Sequence, residues 1–239
     1  MSATDMPVAV IAGAGGAGAA TASALAASGY HVVVLDSRLE SAQAVADELA
    51  AGGASAEAHG IDLLDSDAVT TLREDLVARL GHVDVLVHLV GGWRGSKTLD
   101  LSSVDNWNAL HPPIVGTLAV LTAVFGPDVR TSPIGRIFMV TSTTAATPTA
   151  GNIAYASAKS AAEAWMTGVA HFLRDTPAAS VTVAVKALLT DRMVAAEPEK
   201  EWPGYTHVSA LARAITALST ASAENGSRVD LTAEEYSAT

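Results

Sequence analysis

Runs of consecutive apolar residues of strand length recur along this chain at 8–12, 31–35, 83–89, 134–140 and 181–187, several of them rich in valine and isoleucine. Strands that are apolar at every position, rather than at alternate ones, are buried on both faces. Longer alanine-rich stretches with helical periodicity lie between them, at 16–28, 39–51, 66–80, 104–125 and 154–173. Strand alternating with helix implies right-handed crossovers and a parallel sheet covered by helices on both sides. The expected architecture is an α/β chain with a doubly wound parallel sheet of about seven strands. A sixth helical stretch at 208–219 leads to a short last strand near 228–231. No internal repeat, charge block or linker rich in Pro, Gly or Ser divides the 239 residues, so one domain over 1–239 is expected. Pro198, Trp202, Pro203 and Gly204 make 195–205 irregular. A substrate loop at about 190–207 would overhang the carboxyl edge of the sheet, where open α/β folds bind ligands.

The first strand runs directly into Gly13-Ala14-Gly15-Gly16-Ala17-Gly18 and then into an alanine-rich helix. Glycine there permits a tight turn and lets backbone N–H groups approach a pyrophosphate, which the positive helix N-terminus stabilises. Gly13, Gly15, Gly16 and Gly18 are therefore candidate cofactor contacts in a Rossmann-type turn. Asp36 ends the second strand, 23 positions after Gly13. A carboxylate there accepts both adenosine ribose hydroxyls and repels a 2′-phosphate, which favours NAD over NADP. Arg38, two residues on, is a partner for a 2′-phosphate and keeps NADP open.

Ser142 lies near the end of the fifth strand, and 13 residues later comes Tyr155-Ala156-Ser157-Ala158-Lys159 at the start of a long helix. Tyrosine and lysine at i and i+4 share one helix face, so the ammonium can lower the phenol's pKa. With the Ser142 hydroxyl facing the same point, the set can hydrogen-bond a carbonyl oxygen and protonate it as hydride arrives. The bland alternatives are a strand-end cap for Ser142 and an ordinary helical pair for Tyr155 and Lys159.

Several function classes fall away. The chain has no cysteine, which removes disulfide frameworks, thiolate metal sites and cysteine nucleophiles. Its seven histidines, at 31, 59, 82, 88, 111, 171 and 207, have no metal-ligand spacing, so no metal is expected. A formal net charge of −11 without a Lys/Arg cluster argues against a nucleic-acid or anionic-membrane surface and for a small-molecule substrate. Residues 1–7 lack the features of a signal peptide, and no apolar run of about 20 residues is free of polar interruption, so a cytoplasmic chain is expected. Trp93 and Trp202 are candidate walls for a planar substrate.

The Ser142, Tyr155, Lys159 set, the glycine turn and the strand order together resemble the short-chain dehydrogenase/reductase family over nearly the whole chain. That resemblance implies NAD(P)-dependent hydride transfer between a carbonyl and an alcohol. Tyr155 would be the general acid/base, Ser142 would polarise the substrate oxygen, and Lys159 would hold the nicotinamide ribose and tune Tyr155. Asp62 resembles the aspartate beside the adenine, Val90 and Gly91 the stretch after the fourth strand, and Thr190 the threonine that meets the carboxamide. The family also implies a homotetramer or homodimer built on the long helices at 104–125 and 154–173.

Departures lie along the expected cofactor. The usual TGxxxGxG turn is one residue shorter and lacks its threonine. Asn-Asn-Ala-Gly is replaced by His88-Leu89-Val90-Gly91, and the Gly91-Gly92-Trp93 ending is similar to the dihydropteridine-reductase-like branch. Pro113 stands where the relay asparagine belongs and is expected to disrupt its helix locally. Lys186 stands in the Pro-Gly that follows the sixth strand, close to the expected nicotinamide. Two alternatives accordingly stay open: a cofactor-sensing or scaffold protein with little turnover, and reduction of a pterin-like heterocycle.

Overall fold

In the computed structural model, which describes residues 6–232, seven strands form one parallel sheet in the order β3-β2-β1-β4-β5-β6-β9. The start of the segment read for targeting signals, 1–5, and the end of the expected domain, 233–239, lie outside the described residues. The strands are β1 (Val8–Ala12), β2 (His31–Asp36), β3 (Ala56–Gly60), β4 (Val85–His88), β5 (Arg136–Ser142), β6 (Ala179–Val185) and β9 (Ser227–Asp230). Between them run α1 (Gly16–Ala27), α2 (Leu39–Ala51), α3 (Ser66–Leu80), α4 (Leu101–His111), α5 (Thr117–Thr131), α6 (Ile153–Leu173), α7 (Asp191–Ala196) and α8 (Val208–Thr220). Short strands β7 (Leu188–Leu189) and β8 (Thr206–His207) pair in parallel as a separate ribbon.

The apolar runs are continuous because alternate residues enter two different cores. Val8, Val10 and Ala12 of β1 pack with α3, α4, α5 and α6, whereas Ala9 and Ile11 pack with α1, α2 and α8. Burying both sets is the main drive for this layered arrangement. The chain starts at the sheet centre, winds outward to β3, then crosses to β4 on the other side of β1. That reversal opens a crevice at the carboxyl ends of β1 and β4.

Boundaries differ from expectation in instructive ways. β5 runs to Ser142, two residues past its apolar run, because pairing continues through polar Thr141 and Ser142. β6 spans Ala179–Val185, two residues earlier than its run, because its register against β5 begins at Ala179 opposite Arg136 and ends at Val185 opposite Ser142. β3 carries Glu57 and His59 and has no apolar run, so pairing with β2 rather than composition defines it. The expected helix at 104–125 runs from Leu101 to Thr131, and Pro113 widens it instead of breaking it. Pro112 and Pro113 have no N–H, and residues Pro112–Gly116 form one π-helical turn in which Thr117 N–H reaches the Pro112 carbonyl. By length and composition alone this helix is long and apolar enough to cross a membrane, although polar residues such as Asn108, Thr117 and Thr122 interrupt it. Its inner side, including Ile114, Leu118, Leu121 and Phe125, is however packed in the core beside the sheet.

Candidate active site

The glycine turn sits at the crevice. Gly13 adopts φ +102°, and a Cβ there would lie 3.1 Å from the Leu89 backbone after β4. A Cβ on Gly18 would meet the Gly13 carbonyl oxygen at 1.8 Å, so this position admits only glycine while α1 packs against the turn. Gly15 has open space where a Cβ would be and caps α1 without a side-chain hydrogen bond. Those two features leave backbone amides available to an anion. Gly16 packs against the methyl of Thr190, whose hydroxyl oxygen caps α7 by accepting from Met193 N–H at 3.3 Å.

Asp36 is fixed at the end of β2. Its carboxylate accepts from the Ala14 amide at 2.9 Å and from the Arg38 amide at 3.0 Å, which ties the turn to the strand. Arg38 Nε lies 3.8 Å from the same carboxylate, with its side chain exposed. Asp62 accepts from Leu64 N–H at 2.9 Å. Gly13, Gly15, Asp36, Asp62, Val90 and Gly91 all line one cleft of about 470 Å³.

An adjoining cleft of about 560 Å³ shares Leu89, Val90 and Gly91 and holds Ser142, Tyr155 and Lys159. Ser142, buried at the last position of β5, lies 2.9 Å from the Thr144 hydroxyl. Tyr155 and Lys159 are on one face of α6, with the ammonium 5.9 Å from the phenol ring centroid. The expected lowering of the phenol pKa is overturned in the protein alone. Burial pushes Tyr155 above its ordinary value, and its interaction with Ser142 offsets that only in part. Lys159 is 7% exposed and donates to the Val140 carbonyl at 2.8 Å. Burial lowers its pKa to about 8, against the opposing pull of Glu163.

Three site features escaped the sequence reading. Glu163, one helical turn beyond Lys159, accepts from the Thr141 hydroxyl at 2.7 Å, and its i+4 spacing was a usable signal. Thr144 adds a second hydroxyl beside Ser142. His88 Nε2 lies 2.8 Å from the Thr117 oxygen, which donates its own proton to the Pro113 carbonyl at 2.7 Å. His88 is therefore the donor and carries its proton on Nε2; burial, then the nearby Lys159 charge, lowers its pKa to about 3. No sequence signal paired these two residues, because the π turn sets their approach.

The loop is part helix, since α7 reaches Ala196, and β7 and β8 close its base. Tyr205 lines the second cleft; Trp202 does not, and stacks edge-on against Tyr205 with centroids 5.2 Å apart. Trp93 stands at the rim, 69% exposed. Lys186 lines the cleft and donates to the Pro203 carbonyl at 3.0 Å. No cluster of metal ligands occurs among the described residues.

Comparison with known proteins places this geometry. The short chain dehydrogenase family profile matches residues 7–201. The 7alpha-hydroxysteroid dehydrogenase of Escherichia coli (strain K12) is 30% identical over 190 residues, covering 79% of this chain and 74% of that protein. A solved 7alpha-hydroxysteroid dehydrogenase complexed with NADH and 7-oxo glycochenodeoxycholic acid superposes with a TM-score of 0.79 at 26% identity, covering 95% of this chain and 92% of that one. A metagenomic short-chain oxidoreductase in complex with NADP superposes with a TM-score of 0.77 at 27% identity, covering 93% of this chain and 97% of the other. With the profile spanning residues 7–201 and a 30% identical relative covered over 74% of its length, this chain belongs to the short-chain dehydrogenase family of oxidoreductases.

Proposed function

We propose that this protein transfers hydride reversibly between a nicotinamide dinucleotide, NAD in preference to NADP, and the carbonyl or alcohol carbon of a small-molecule substrate. The observation that carries this reading is the meeting of Ser142, Tyr155 and Lys159 in a cleft that continues directly into the glycine turn. The residues present fit the cofactor. Gly15 leaves open space at an uncapped helix N-terminus for the pyrophosphate, and Asp36 stands at the end of β2 for the adenosine ribose. Asp62 would border the adenine; Val90, Gly91 and Thr190 would border the nicotinamide half; and Lys159 would hold its ribose hydroxyls. When bound, the nicotinamide would supply hydride chemistry for reducing a carbonyl carbon or oxidising an alcohol carbon.

The chain's own residues manage the oxygen and its proton. Ser142 donates a hydrogen bond to the carbonyl oxygen and polarises it. Tyr155, kept protonated by burial, gives its phenol proton to that oxygen in reduction and takes it back in oxidation. The Lys159 charge stabilises the phenolate that results. The outer faces of α5 and α6, where Pro127, Trp165 and Phe172 line an apolar groove, support assembly as a homodimer or homotetramer.

Titration with NADH and with NADPH, followed by nicotinamide fluorescence and thermal shift, tests the cofactor half. Preference for NADH is expected from Asp36; preference for NADPH would transfer that role to Arg38, and binding of neither would overturn the reading. Tyr155→Phe tests the chemistry: turnover should fall by about 100-fold or more while NADH affinity is kept. Turnover comparable to the wild type would refute the assigned mechanism.

A further inference from the structure

The second cleft carries an unusual charge balance for a chain whose net charge is −11. Among the described residues its lining contains no aspartate or glutamate, and the charged side chains there are Lys159 and Lys186. Lys159 is buried behind Tyr155 and engaged with the Val140 carbonyl. Lys186 is different: it is exposed, and it forms no ion pair among the described residues. The contrast with Lys200 of the same loop region is direct, since that ammonium is neutralised by Glu197 at 2.9 Å. A lysine has three donors, and the Pro203 carbonyl takes one of them.

The backbone places Lys186 beside the reacting groups. Val185 pairs with Ser142 across β5 and β6, and Lys186 is the next residue. From ordinary strand spacing and rise, its Cα lies about 6 Å from that of Ser142. The loop is shaped around this side chain. Gly204 adopts φ +74°, and a Cβ there would lie 3.1 Å from Lys186 Cδ and 3.3 Å from its Nζ. Loop geometry and strand register therefore hold an unneutralised ammonium at the cleft.

We infer that Lys186 forms an anion subsite for the substrate, which makes the substrates of this cleft carbonyl or hydroxy compounds that also carry a carboxylate. The inference rests on the hydride-transfer reading for its reaction but not for its binding. The probes are ω-oxo carboxylic acids of about three to six carbons and their methyl esters, which match in skeleton and differ in charge, assayed with NADH against wild type, Lys186→Met and Lys186→Arg. Wild type should favour acid over ester by about tenfold or more in kcat/KM, the worth of one charge-assisted hydrogen bond. K186M should reduce that ratio to about twofold or less, and K186R should restore most of it. An equal ratio in wild type and K186M would overturn the subsite. So would loss of NADH affinity in K186M, because the lysine would then serve a cofactor phosphate. Should neither series turn over, the hydride-transfer reading fails on its own, and the subsite is read from thermal shift of the protein mixed with NADH and the acids. An acid-dependent rise in Tm seen in wild type and lost in K186M supports it, and no such rise refutes it.

Discussion

Replacing Lys159 by methionine should make the fold more stable at neutral pH while abolishing turnover. The lysine is 7% exposed, and burial lowers its pKa from 10.5 to about 8. At about 1.4 kcal/mol per pH unit, that gap makes the buried charge cost about 3 kcal/mol at pH 7. Methionine keeps the apolar stem and removes the charge, but loses the hydrogen bond to the Val140 carbonyl, worth about 1 kcal/mol. The net gain is about 2 kcal/mol. Its pH dependence is the diagnostic part. Between about pH 8 and 10.5 the unfolded lysine is protonated and the folded one is not, so wild-type stability rises with pH through this window. Below about pH 8 both states carry the proton and the full penalty applies. Urea unfolding of both proteins at steps from about pH 6.5 to about pH 10 should therefore show the advantage of K159M shrinking and then reversing. A difference that stays constant across that range, or a variant less stable at pH 7, would refute the argument.

Gly18→Ala should abolish NADH binding and lower stability by about 3 kcal/mol or more, because the new methyl would meet a backbone oxygen at 1.8 Å and neither segment can yield. Gly15→Ala should fold with nearly unchanged Tm, so any loss of NADH affinity in that variant measures the cofactor's approach to the turn; a collapse of Tm there would contradict the open geometry. His88 has its folded pKa near 3, below its ordinary 6.5, so wild type loses stability as pH falls from about 6.5 toward 3, by up to about 1.4 kcal/mol per unit. His88→Asn should remove that slope, and urea midpoints of the two proteins that run parallel in acid would show that His88 is not its source.

The glycine turn and the Tyr155, Lys159 pair were legible in the sequence because each depends on a short spacing, whereas Asp36 and Ser142 were read from their places at strand ends. An i+4 pair fixes a helix face, and a strand followed by glycine and then helix fixes a turn. What escaped were meetings between distant segments. Lys186 and Pro203 come together because β7 and β8 fold the loop back over the end of β6. His88 reaches Thr117 because two prolines produce a π turn, where a proline rule alone predicts disruption. β3 was silent because a strand defined by its pairing with β2 needs no apolar run.

The sequence by itself determined the architecture and the class of chemistry, since apolar periodicity decides which faces are buried and local spacing decides which side chains share an edge. Tertiary structure alone decided the protonation balance of the site. Tyr155 and Lys159 are neighbours in any helix, but their pKa values move in the directions seen because the α6 face that bears them is buried against β5. Desolvation depends on everything packed around a group, and no spacing along the chain encodes that surrounding.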